Sequence, residues 1–147
     1  MNVDEAKEVI RFAQDAAMYG WGFMLSLGPN RVAAACNGCG PDRWPQKWRD
    51  RLGRWLKTFK QAFDMHDCRF TYDNDGTREK FDYANDELEK NCRLLANMKY
   101  RWCNPLRYFA RNRAHTIVDA CRSAYGWSAY CEAYEKRKNE NNKEKRT

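Results

Sequence analysis

In every long segment of this 147-residue chain, apolar residues recur at three- and four-residue intervals, and nowhere do they alternate with polar residues as a strand requires. Such spacing puts one apolar stripe on each helix, so the chain reads as all-α, with no internal repeat. From Glu5 to about Leu27 the stripe is Ile10, Ala13, Ala17, Trp21 and Met24, and Gly28-Pro29-Asn30 stops it. Trp44, Trp48, Leu52, Trp55 and Phe59 form a second stripe, with Lys and Arg on the other faces. A further helical stretch holds Phe63, His66, Asp67 and Phe70, and Tyr72-Asp73-Asn74-Asp75-Gly76 has the composition of a turn. A long helix is predicted from about Thr77 to Tyr100, with Phe81, Leu88, Cys92 and Leu95 on one face. Asn104 then caps a last helix that Pro105 opens and that runs to about Tyr134. The expectation is one compact helical domain over residues 1–134 and a polar, disordered tail over 135–147.

Charge narrows the partners. Lys and Arg outnumber Asp and Glu by 27 to 20, a formal net charge of +7, which favours anionic partners: a phospholipid or membrane surface, or nucleic acid. No run approaches the roughly 18 apolar residues of a membrane span, so no transmembrane segment is expected. The first residues are acidic and show no secretory signal, which leaves the compartment open and is compatible with a cytoplasmic or virus- or phage-associated protein. The seven cysteines read as mainly reduced and buried, with room for up to three disulfides. Cys36 and Cys39, with His66 and Cys68, make a weakly spaced zinc candidate.

His66, one of only two histidines, can act as a general base near neutral pH. Asp67 lies about 100° round the helix from it, where it can offer a carboxylate to a cation. Calcium takes about six to eight oxygens, many of them backbone carbonyls. The loop Asn37-Gly38-Cys39-Gly40-Pro41 can expose such carbonyls at Gly38 and Gly40. A calcium ion held there would polarise an ester carbonyl while His66 activates water. The base also needs an orienting group. With Phe81 at the origin of a helical wheel, Asn85 falls at about 40°, on the edge of the buried stripe, and Asp86 at about 140°, away from it. Both are carried as candidate catalytic partners of His66.

Taken together, the loop Asn37-Gly38-Cys39-Gly40-Pro41, the helix motif His66-Asp67-Cys68-Arg69-Phe70 and the second-helix motif Ala84-Asn85-Asp86-Glu87-Leu88 resemble the phospholipase A2 superfamily, in its small viral and bacterial-type members. The resemblance covers Cys36 to about Leu95. It implies an antiparallel helix pair behind a glycine-rich loop and calcium-dependent hydrolysis of phospholipid acyl esters. His66 would be the base, Asp67 the calcium ligand with the Gly38 and Gly40 carbonyls, and Asn85 or Asp86 the partner of His66. The chain departs from the family pattern in three places. Phe70 replaces a Tyr whose hydroxyl Tyr72 or Tyr83 would have to supply, Asn85 replaces an Asp, and the loop lies farther from His66. These departures lower the activity expected.

Two further patterns compete. Asp73, Asp75 and Gly76 echo part of a calcium-binding EF-hand loop. Arg101, Arg107, Arg111 and Arg113, interleaved with Tyr100, Trp102, Tyr108 and Phe109, suit a non-catalytic protein that binds nucleic acid or another anionic partner.

Overall fold

Asn2 starts the first helix by a reciprocal cap. Its side chain accepts from the Glu5 amide at 2.8 Å, and the Glu5 carboxylate accepts from the Asn2 amide at 2.9 Å. In the computed structural model, which describes residues 1–36 and 57–144 (side chains to 139), six α-helices follow in order. They are α1 Val3–Asp15, α2 Trp21–Ala35, α3 Lys60–Tyr72, α4 Arg78–Lys99, α5 Pro105–Arg122 and α6 Ala124–Glu144, with a 3₁₀ turn at Lys57–Phe59 before α3. No strand occurs among the described residues, as the periodicity predicts.

Helix α1 buries Ala6, Val9, Ile10 and Ala13 against α2. Helix α4 packs between α3 and α5, burying Phe81, Ala84, Leu88, Cys92, Leu95 and Ala96. Helix α3 is the central element, in contact with α1, α2, α4 and α6. It therefore buries residues on several faces, Ala62, Phe63, Met65, His66 and Cys68 among them. A short turn reverses the chain between α3 and α4. There the Asn74 side chain accepts from the Gly76 amide, Asp75 accepts from the Thr77 amide, and Gly76 takes φ 81°. Thr77 then caps α4 through the Lys80 amide.

Four helix boundaries differ from the sequence reading. The single helix expected from Glu5 to Leu27 is broken after Asp15, where Ala17 and Gly20 have positive φ. Gly20 has a second reason to be glycine: a Cβ there would fall 2.3 Å from a carboxylate oxygen of Glu87. At Gly28, φ 74°, the chain kinks rather than stops, and helical structure resumes through Pro29. The last helix is split at Ser123, and Gly126 just after the split approaches Cys121 so closely that a Cβ would lie 1.8 Å from its carbonyl oxygen. Finally, α6 continues through the predicted tail to Glu144. It is anchored there by Arg137, which donates to the carbonyls of Thr71 and Asn74 at the C-terminal end of α3. The Trp-rich stripe from Trp44 to Trp55 lies outside the described residues, and Phe59 at its end is buried.

The break after α1 is held by Asn91, fully buried on α4. Its Oδ1 accepts from the Tyr19 amide at 2.8 Å and its Nδ2 donates to the Tyr19 carbonyl at 2.9 Å. One amide side chain thus satisfies both polar groups of a non-helical residue. Asn91→Ala should lower the unfolding free energy by about 2–4 kcal/mol, read from the urea midpoint at constant slope. A loss under about 0.5 kcal/mol would show that the clamp does not stabilise the fold.

Candidate functional site

The pairing of α3 with α4 brings two predicted residues together. Along the pair, Thr58 meets Lys99, Met65 meets Asn91 and His66 meets Asn85, so α4 runs back along α3. His66 Nε2 lies 3.2 Å from Asn85 Oδ1. Asn85 Nδ2 donates to the Phe81 carbonyl at 2.8 Å. A carbonyl only accepts, so this bond fixes the amide with Nδ2 toward Phe81 and Oδ1 toward the imidazole. An acceptor facing Nε2 requires the proton there. His66 is thereby held as the tautomer protonated at Nε2, and Nδ1 carries the lone pair.

The surroundings keep this ring neutral. His66 is 7% exposed, and its ring packs on Phe70 with centroids 4.1 Å apart. Burial pulls its pKa down to about 4, opposed only by the bond to Asn85. An amide oxygen has no full charge with which to stabilise the imidazolium. Phe70 in turn packs edge-on against Tyr130, 4.9 Å away, and Tyr130 packs against Phe81 and Trp127. An aromatic wall from α3, α4 and α6 therefore closes one side of the site.

Asp86 is not the partner of His66. Its carboxylate accepts from Arg122 at 2.6 Å and faces the end of α5, as its place on the helical wheel dictates. Arg122 also binds Glu89 at 2.8 Å, so Asp86 belongs to an α4–α5 ion-pair group. Asp67 is partly buried beside His66 and makes contacts of its own. It is close enough to Cys36 that its charge helps raise the Cys36 thiol pKa, behind the larger effects of the bond to Cys68 and of burial. Gly38 and Gly40 lie outside the described residues.

Of the zinc candidates, Cys36 and Cys68 approach within 3.9 Å, His66 is bonded to Asn85, and Cys39 lies outside the described residues. Among the described residues no three His, Cys, Asp or Glu side chains are grouped as metal ligands. In the EF-hand-like turn, Asp73 is taken by Arg69 at 2.9 Å and Lys80 at 2.8 Å, while Asp75 binds the Thr77 hydroxyl at 2.6 Å. Tyr72 donates to the Arg31 carbonyl, and Tyr83 lies exposed beneath the Arg69 guanidinium.

Sequence reasoning missed Arg69 and Glu87. Arg69 makes a two-pronged ion pair with Glu87, Nε to Oε1 at 3.0 Å and Nη2 to Oε2 at 2.9 Å, and stacks on Phe23. Both side chains are at least nine-tenths buried. The pair joins α2, α3 and α4 one turn beyond His66. Neither residue signals this alone, because a charged residue on a helix usually marks a solvated face. No protein-family model, curated protein or solved structure matches the chain.

The buried imidazole makes stability depend on pH. Unfolded, His66 titrates near 6.5; folded, it titrates near 4, so between these values the unfolded chain binds a proton that the native chain does not. The contribution is complete above pH 6.5 and is lost as the pH falls through 4. It amounts to roughly 3 kcal/mol. Urea unfolding at pH 7 and pH 4 should show wild type losing about that much more stability than His66→Gln. Equal losses in the two proteins would contradict a buried neutral histidine.

Proposed function

We propose that this chain is a phospholipase A2-like hydrolase of low activity, in which water activated by His66 attacks a phospholipid acyl ester. The observation that carries the reading is the Phe81–Asn85–His66 relay, which leaves the basic lone pair on Nδ1. A general base needs one nitrogen free of its proton and the other held by an acceptor. Nδ1 takes a proton from water as the oxygen attacks the ester carbonyl, and returns it to the leaving alkoxide when the tetrahedral intermediate collapses. Asn85 holds the ring throughout.

In this reading Asp67, partly buried beside His66, would hold calcium, and the Gly38 and Gly40 carbonyls would complete the ligand set. A bound calcium ion would stabilise the oxyanion that forms on the ester. The low activity follows from the burial of His66, which the amide of Asn85, lacking a full charge, offsets only in part. A base whose conjugate acid is pushed to about pKa 4 pulls weakly on a water proton at pH 7. The net charge of +7 suits an anionic lipid surface.

A second reading, a non-catalytic binder of single-stranded nucleic acid, is favoured by one surface. Trp102, Tyr108 and Phe109 are 84%, 65% and 62% exposed at the start of α5, among Arg101, Arg107, Arg111 and Arg113. Exposed aromatics between arginines suit stacked bases and phosphates.

Hydrolysis of anionic phospholipid vesicles in calcium should be abolished by His66→Ala. Asn85→Asp should raise the rate about tenfold or more and shift the acid limb of the pH profile upward, because a carboxylate stabilises the imidazolium. Calcium should raise the melting temperature of wild type but not of Asp67→Ala. No acyl release from either wild type or Asn85→Asp would end the hydrolase reading. The second reading requires oligonucleotide binding that weakens steeply with salt and is reduced in Trp102→Ala.

A further inference from the structure

Cys36 closes α2 in a non-helical conformation, φ −85° and ψ 84°, with its thiol turned inward onto α3. Its sulfur lies 3.3 Å from the Asp64 carbonyl and 3.9 Å from the sulfur of Cys68, one turn farther along α3. Both cysteines are buried and both are free thiols. We propose that Cys36 and Cys68 are a disulfide-forming pair that staples the end of α2 to the middle of α3.

Three observations support this. The sulfurs need to approach by only roughly 2 Å to reach bonding distance. Cys36 lies past the regular turns of α2 and has no helical ψ to preserve, so a small rotation about its side chain can bring the sulfurs together. A cavity of about 580 Å³, lined by Val9, Phe12, Cys36, Lys60 and Asp64 among others, reaches the Cys36 side of the pair and gives a small oxidant access.

The co-reactant is a low-molecular-weight disulfide such as oxidised glutathione. One cysteine, as thiolate, attacks it and expels one small thiolate. The second cysteine then attacks the mixed disulfide and expels the other. Two protein S–H bonds and one small-molecule S–S bond are broken, the Cys36–Cys68 bond forms, and two small thiols leave with the two protons and two electrons. The staple joins the residue before the glycine loop to a position two residues from His66, whatever chemistry His66 performs.

The test uses the full chain, equilibrated in oxidised or reduced glutathione, with differential alkylation, peptide mass mapping and thermal melting. The expected result in the oxidising buffer is a linked Cys36–Cys68 peptide and a melting temperature about 10 °C above the reduced form. Cys36→Ser and Cys68→Ser should each remove both effects, and Cys131→Ser should keep both. If Cys36 and Cys68 are both alkylated as free thiols after oxidation and denaturation, or are linked to other cysteines instead, the proposal is overturned. The wild-type peptide map decides the question even where a variant fails to fold.

Discussion

Helix α4 carries three buried polar side chains, Asn85, Glu87 and Asn91, and each is matched by a group from outside its own turn. Asn91 clamps the Tyr19 peptide, Glu87 takes the Arg69 guanidinium, and Asn85 takes the imidazole of His66. A buried polar group without a partner costs more than a well-made bond contributes. The three matches therefore act as register marks. Sliding α4 by one residue along α3 would break all of them at once, whereas apolar contacts alone would tolerate small shifts. Glu87 links two of these constraints, since its carboxylate also fills the space that only glycine leaves at position 20.

That register is what makes the His66 site. Asn85 comes opposite His66 because Arg69–Glu87 and Met65–Asn91 flank it on the same helix pair. The amide is turned by a backbone carbonyl rather than by chance, so the imidazole tautomer is set by secondary structure two steps away. The aromatic wall of Phe70, Phe81 and Tyr130 then removes water from one side of the ring and lowers its basicity. Burial by that wall lowers the proton affinity of the ring, and the bond to Asn85 offsets only part of the loss.

Much of this was legible in the sequence, and its limits are physical. The wheel for the Thr77–Tyr100 helix separated Asn85 from Asp86 correctly, because a 22-residue helix with a strong apolar stripe leaves little freedom in which side faces inward. The first and last helices were read too simply. Periodicity reports faces, not breaks: the break at Ala16–Gly20 is held by a tertiary contact, the Asn91 clamp, and the one at Ser123 by the close local approach of Gly126 to Cys121. The tail was read as unstructured from its polarity, yet Arg137 has a docking point on the carbonyls at the end of α3 that no local pattern reveals. Arg69–Glu87 was missed for the same reason, as were the aromatic contacts of Tyr130.

The choice of Asn over Asp at position 85 is consistent with this burial. A carboxylate there would face a ring with almost no solvent, and the pair would fold either as buried ions or with a displaced proton. The neutral His66–Asn85 pair satisfies both groups without charge, and Phe81 supplies the remaining acceptor. It gives a well-ordered imidazole whose proton affinity burial lowers and the Asn85 bond only partly restores. A carboxylate at that one position would therefore separate the stability of the helix pair from the protonation of the ring.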